Sequence, residues 1–374
     1  MNTYDVCVRG AGSVGCSLAL SLARQGLRVA LQGKPREAGT ADVRAFALNA
    51  ASVSLLAELR VWSDLQRGAA TPVHDMRVEG DAPGYALEFS SWQQRRDALA
   101  WIVDAAALEE SLAAAARYSP HITLLPHDMQ VQAALTAYCE GRDSASREKM
   151  GVSHGRVEYG QMAIASRLVA QGPHRHVARQ WFRSPDVLAL LPFDRPEADH
   201  SYALVWSLPE ARARELMAAT VEEFEAALLE ATGNVCGPLR VAASGQAGRA
   251  AWPLAVARAE RWSGPGWALL GDAAHLVHPL AGQGLNLGLA DVQALSKVIA
   301  AREPWRPLGD ERLLRRYERE RLAPTWAMAT MTDGLLRLFA SPQAPLKELR
   351  NRGLNLVNHL TPVKRWLTDR ATGL

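Results

Sequence analysis

The chain has 374 residues, 48% of them apolar, with no low-complexity tract; it is globular and too long for one compact core, so two domains are expected at roughly 150 residues each. Its 42 basic and 39 acidic side chains leave a net charge of +3, and no basic face concentrates in the first 300 residues, which speaks against a nucleic-acid partner. No apolar run reaches the ~18 residues of a membrane span, the MNTYD start leads straight into a strand without a signal peptide, and Cys7, Cys16, Cys139 and Cys236 lack metal-ligand spacing, which together point to a reducing, cytoplasmic compartment.

Residues 4–8 read as a buried strand and 13–25 as a helix with Val14, Leu18 and Leu22 on one face. Gly26 caps that helix, and 27–32 form the next strand. A right-handed crossover makes the two strands parallel. Between the first strand and the helix stands Gly10-Ala-Gly12-Ser13-Val14-Gly15. The first glycine permits the tight turn, the second lets backbone approach a pyrophosphate, and the third lets helix and strand pack closely. The helix start then offers free N–H groups to phosphate. The fingerprint also asks for Asp or Glu at the end of the second strand. Here it ends Leu31-Gln32-Gly33-Lys34, where Gln32 can hydrogen-bond a hydroxyl more weakly than a carboxylate, or Lys34 can favour a phosphate instead.

Further along, 49–59 is expected as a helix, 100–103 as a strand, and Asp104 as the cap of a helix to about residue 117. Residues 122–125 make another strand. From 155 to 208 the character changes: 177–182 and 202–207 are rich in aromatic and β-branched residues between turns, the pattern of an antiparallel sheet. A helix over 211–230, a strand over 267–270 and a helix over 285–300 follow, the last with Leu285, Leu289, Val292, Leu295 and Ile299 on one face. From 311 the chain is helical, broken at Pro324, Pro342, Pro345 and Pro362. The order predicts an α/β chain: a Rossmann-like cofactor domain from 1–75, 100–155 and 255–310, an interleaved antiparallel-sheet substrate domain from 76–99 and 156–254, and a helical tail from 311–374.

The segment 271–291, GDAAHLVHPLAGQGLNLGLAD, is the second glycine-rich motif, about 260 residues after the first. Asp272 closes a strand, placed to accept from a sugar or ribityl hydroxyl. The loop through Pro279, Gly282 and Gly284 runs into a helix at Leu285 and Asn286, whose dipole favours negative charge on a bound ring. Two such loops predict one large flavin gripped from both sides. His275 and His278 are packing or loop residues on this reading, and no metal is expected. The tail 345–374 sets six Lys and Arg residues against Glu348 and Asp369, interleaved with leucines. It suits either an anionic membrane surface or ordinary packing on the protein.

Together these motifs resemble the flavoprotein aromatic hydroxylases of the para-hydroxybenzoate hydroxylase type, and within them the hydroxylases of ubiquinone biosynthesis, over essentially the whole chain. GAGSVG matches the family's first motif. Asp42-Val-Arg44-Ala-Phe-Ala-Leu48 is similar to its DxRxxAL segment, whose arginine approaches the flavin. Cys139-Glu140-Gly141-Arg142-Asp-Ser144 sits at its Asp-Gly motif with Glu140 for the aspartate, and Tyr159-Gly160-Gln161 matches the turn into the substrate sheet. The stretch from 271 to 291 is the most specific match, and RYERERLAPTWAMATMTDGLLRLF looks like the subfamily's last helices. Three features depart: Gly33 for the ribose-binding acid, Arg9 for an apolar residue, and a short stretch between Leu125 and Glu140.

The resemblance implies FAD, with NADH or NADPH as reductant and O2 as co-substrate, and hydroxylation of an electron-rich ring, a small aromatic or polyprenyl phenol. The residues it implies are cofactor-positioning ones: Gly10, Gly12, Ser13, Val14, Gly15, Arg44, Asp272, Pro279, Gly282, Gly284, Leu285 and Asn286. No side chain is singled out as catalytic, because the cofactor carries the chemistry. The substrate is expected between the sheet of 155–208 and the flavin. A second hypothesis, beside plain packing of the tail on the protein, is that the basic tail supports peripheral association with the inner membrane face or a biosynthetic complex. Two alternatives stay open: a flavoenzyme acting on another aromatic or an isoprenoid, and a flavin-poor, non-catalytic subunit.

Overall fold

The computed structural model describes residues 4–34, 42–80, 86–242, 248–277 and 282–340. The chain opens with strand β1 (Tyr4–Arg9), helix α1 (Ser13–Ala23) and strand β2 (Val29–Gln32). Strand β3 (Ala45–Leu48) and helix α2 (Ala50–Glu58) follow, then β4 (Ala70–Val73), β5 (Asp75–Glu79), β6 (Ala86–Ser90) and β7 (Ala100–Asp104). Next come α3 (Ala105–Tyr118), β8 (Ile122–Leu125), β9 (Ala133–Tyr138) and the short α4 (Ala145–Lys149). Strands β10 (His154–Ala170), β11 (Val177–Arg183), β12 (Asp186–Phe193) and β13 (Ser201–Pro209) lead to helices α5 (Glu210–Ala218) and α6 (Val221–Thr232). Then β14 (Leu239–Val241), β15 (Arg249–Ala259), β16 (Ser263–Gly264), β17 (Trp267–Leu269) and β18 (His275–Leu276) precede α7 (Gln283–Ala300) and α8 (Glu311–Ala340).

Among the described residues these strands form three sheets. A six-stranded sheet has the order β16-β17-β9-β1-β2-β8, parallel except at its β16–β17 edge. A nine-stranded sheet runs β18-β15-β10-β13-β12-β11-β5-β6, with β14 on β10, and is antiparallel except where β11 meets β5. A small sheet, β3-β7-β4, joins them. The expected α/β architecture is therefore present. Strand β9 was not foreseen: its small residues, Ala133-Ala-Leu-Thr-Ala-Tyr138, lack a strong alternation, yet it lies between β1 and β17.

Local chemistry explains the element ends. Asn49 caps α2 by accepting from the Ser52 N–H, and Asp104 caps α3 by accepting from Ala107. The predicted helix over 211–230 is two helices, because Ala219 turns extended and Thr220 starts α6 with a capping box to Glu223. The Tyr159-Gly160-Gln161 segment is a bulge in β10, where its register with β15 slips between Glu158 and Met162.

Helix α8 does not break at Pro324, as expected from the missing N–H of proline, but runs through it. Packing on both sides overrides the local preference: Arg321 and Thr325 are buried there, and Tyr317 donates to the Leu269 carbonyl oxygen at 2.7 Å. The expected breaks at Pro342, Pro345 and Pro362, and the basic tail, lie outside the described residues.

The main core fills the space around the six-stranded sheet, with α1 wedged against α3 and α7. A second core lies between one face of the nine-stranded sheet and helices α5 and α6, built on Trp181, Leu190, Trp206, Phe224 and Leu228.

Candidate cofactor and substrate cavity

Both glycine-rich segments open onto one cavity of about 660 Å3. Gly12, Ser13, Val14, Arg44, Asp272, Gly282, Gly284, Leu285 and Asn286 all line it. Gly10 and Gly15 do not; they pack beneath it. A Cβ on Gly15 would strike the Gly10 carbonyl oxygen, so only glycine lets α1 sit this close to β1. Pro279 and His278 lie outside the described residues.

The cavity can be tested for its fit to a dinucleotide. Helix α1 starts behind Gly12 and α7 behind Gly282, and neither has a side chain capping its first turn. Both helices thus bring orphan N–H donors and the positive end of their dipoles to one space. A Cβ on Gly12 or Gly284 would meet no heavy atom within 4 Å, so the space beside each is open. The Ser13 hydroxyl is buried without a partner. Donors without acceptors at two helix starts are what a pyrophosphate and a polar ring edge require, and the residues fit the group.

Arg44, at the edge of this space, is held by protein partners. Arg44 forks onto Asp42, with Nη2 2.7 Å from Oδ2, and reaches Glu109 at 3.6 Å. Its own carbonyl oxygen accepts from Arg167, which lies 4.0 Å over the Phe193 ring. Burial brings the Arg167 guanidinium down to about 10, although Asp104 and Asp42 oppose the shift. Burial likewise pushes the Asp272 carboxyl up, against the pull of His275 and Arg142.

Asn286 is occupied by the protein. Its amide donates to the Ala47 carbonyl oxygen at 2.8 Å, and its own oxygen accepts from the Asn49 N–H at 3.0 Å and the Ser52 hydroxyl at 2.7 Å. It therefore ties α7 to β3 and the start of α2.

Asp291, unremarked in the sequence, is the centre of the loop's support. It is fully buried and accepts from the Gly271 N–H at 2.9 Å, from His275 Nε2 at 2.6 Å and from Arg321 Nε at 2.7 Å. Burial opposes the charge, but His275 and Arg321 outweigh it and hold the carboxyl below its usual range. His275 is thus a loop-bonding residue, stacked 4.8 Å from Trp262.

At the end of β2 the structure explains one departure. Gly33 has φ +140°, and a Cβ there would come 2.9 Å from the Ala11 nitrogen. A carboxylate side chain would push against the glycine loop itself. Gln32 does not take the ribose role open to it: its amide donates to the carbonyl oxygens of Pro126 and Met129, at 3.1 and 2.6 Å. The other departures answer each other, since Arg9 Nε lies 3.1 Å from Glu140 Oε1. Ser144 and Ser146 also donate to Glu140, and with Arg9 they outweigh burial and lower its carboxyl.

The far wall of the cavity is the nine-stranded sheet. Ala165, Ala178, Val187, Ala189, Val205 and Ser207 face it from four neighbouring strands. Sequence reasoning placed the substrate against this sheet but named none of these residues. Their signal is small side chains at alternate positions, opposite bulky ones on the other face. Away from the cavity, His174, Asp194 and Asp199 meet. They satisfy one another: His174 Nε2 lies 3.2 Å from Asp194, which also accepts from Thr71 and the Asp199 N–H.

A parallel sheet with glycine loops and uncapped helix starts around one cavity, walled by an antiparallel sheet, defines a flavin-type oxidoreductase. The chain belongs to the FAD binding domain family, which it matches over residues 3–122 and 123–332, among the FAD-dependent aromatic monooxygenases. It is 31% identical to the ubiquinone hydroxylase UbiL of Rhodospirillum rubrum, over 99% of this chain and 89% of that one. It is 29% identical to the 3-demethoxyubiquinol 3-hydroxylase of Escherichia coli, over 99% and 98% of the two chains. Its fold is that of p-nitrophenol 4-monooxygenase PnpA from Pseudomonas putida, with a TM-score of 0.77 at 17% identity, covering 100% of this chain and 99% of the other.

Proposed function

We propose that this protein is an FAD-dependent hydroxylase of a polyprenyl phenol on the route to ubiquinone, using NADH or NADPH and O2. FAD held there would supply the redox chemistry, coupling oxidation of NADH or NADPH to entry of one atom of O2 into the ring while the other leaves as water. One observation carries the reading: the first turns of α1 and α7, from opposite ends of the chain, open uncapped onto a cavity whose far wall is the small-residue face of a sheet. The named activities of the two curated relatives support the substrate class.

In this reading Gly12, Ser13 and Val14 offer the N–H groups of α1 to the pyrophosphate, while Gly10 and Gly15 seat that helix. Asp272 accepts from a ribityl hydroxyl. Gly282, Gly284 and Leu285 present the start of α7 to the polar edge of the ring. Asn286 holds the β3 segment, and Arg44 borders the cavity between Asp42 and Glu109. The sheet wall receives the substrate and excludes water, so that charge developing at the ring meets fixed dipoles rather than solvent.

Residues 1–75, 100–155 and 255–310 form the cofactor domain on this proposal, 76–99 and 156–254 the substrate domain, and 311–374 the helical region. No helix among the described residues is long and apolar enough to cross a membrane. A peripheral seat at the inner membrane face, through the basic tail, belongs to the proposal.

Asp272→Ala is expected to lose most of the bound FAD, read as absorbance near ~450 nm in the purified protein. Wild-type flavin content and turnover in that variant would remove Asp272 from the site. A wild-type protein that stays colourless when given FAD would overturn the enzyme reading in favour of a non-catalytic subunit.

A further inference from the structure

On the cavity face of β10 to β13, side chains that can hydrogen-bond are scarce. Arg179 borders the cavity too, but its charge acts on Tyr202 and Cys236. Gln180 already has a partner. Ser207 differs from both. It is 3% exposed, lines the cavity, and its hydroxyl makes no hydrogen bond to any described residue. Its oxygen is not sealed off, unlike the buried hydroxyls of Ser13, Ser17 and Ser21. A hydroxyl in apolar surroundings that keeps access to a cavity is left to pair with whatever fills it, water or a ligand atom.

The register shows what lies around it. Ser207 pairs with Val187 on β12 and with Ala163 on β10, and Ala163 pairs with Trp252 on β15. Paired residues share a face, so Val187, Ser207, Ala163 and Trp252 form one rung across four strands. Ser207 and Trp252 stand two strands apart, about 10 Å. The residue between them is the smallest that has a side chain. That gap is the width of a flat ring, with an indole on one side and a hydroxyl on the other. Two residues along the strands, Ala165, Ala189 and Val205 continue the wall with nothing polar, a course for an aliphatic tail.

Building on the proposed function, we infer that Ser207 is the residue that orients the substrate: its hydroxyl hydrogen-bonds the ring oxygen of a phenol lodged over Ala163 beside Trp252.

The test is calorimetric titration of the full-length protein with 2-allylphenol and with allylbenzene, which has the same skeleton without the oxygen. Ser207→Ala is expected to weaken 2-allylphenol about tenfold, the worth of one hydrogen bond, and to leave allylbenzene unchanged. Ser207→Thr, which keeps the hydroxyl, is expected to restore the phenol to within about threefold. Unchanged phenol binding in Ser207→Ala overturns the inference, as does an equal loss for both ligands, which marks a wall that has merely shifted. No phenol binding by the wild type overturns it too. Calorimetry does not depend on flavin, so loss of the enzyme reading, seen as a wild type that takes up no FAD, is a separate result.

Discussion

Along β12, Val187, Ala189 and Leu191 look into the cavity while Leu188 and Leu190 look the other way, into a core closed by α5 and α6. The alternation continues in the neighbouring strands: Ala178 and Gln180 stand against Trp181, and Val205 and Ser207 against Trp206 and Leu208. Both faces obey the strand period of two. They differ in volume, indoles and leucines on one side, mostly alanine and valine on the other. Protein interiors close to crystal-like density when their own side chains can reach. The front face stops short of that because its complement comes from outside the chain.

Emptying the full face or filling the empty one puts the contrast at risk. Phe224, fully buried and 6.2 Å from the Trp206 ring, is the keystone of the back core. Phe224→Ala is expected to cost about 3–5 kcal/mol in urea unfolding, with ligand affinity of the folded protein unchanged. A small cost there would mean that the back face is not the closely packed one. Ala189→Phe is expected to change stability by less than ~1 kcal/mol, because the added ring enters open space rather than packed neighbours. The same variant should weaken 2-allylphenol at least about tenfold by titration. Wild-type affinity in it would show that the ligand lies elsewhere.

The smallest effect concerns the start of β10. His154 there is brought down to about 4 from an ordinary 6.5, first by burial and then by Arg147, Arg156 and His275. Its folded-state value lies below its unfolded one, so the unfolded chain binds the proton first on acidification. The contribution is intact above about 6.5 and is lost as pH falls toward about 4. His154→Gln should flatten the fall of the urea midpoint across that window. An unaltered profile would assign the acid sensitivity to other groups.

What was legible in the sequence follows the distance over which each signal acts. The unit from Tyr4 to Gln32 was readable because its glycines, helix and strands lie within one local stretch. Asp104 was readable as a cap for the same reason. Gln32 was misread because the carbonyl oxygens that claim it belong to Pro126 and Met129, brought alongside only when β8 pairs with β2. Pro324 was misread because Arg321 finds its carboxylate on another helix. The cavity wall was hidden for a different reason. Ala165 or Ala189 in a strand looks the same whether it faces a helix or a void, and only the assembled sheet distinguishes them.

The bond between Asp291 and Arg321 has a bearing on the order of events in the cell. The turn at Gly10 leaves the ribosome early, yet the loop that must face it is held by a carboxylate whose counter-charge sits more than 300 residues later. A nascent chain that ends before α8 leaves that buried acid with His275 and the Gly271 N–H but without its guanidinium. The full set of bonds behind that loop is therefore complete only once α8 has been made.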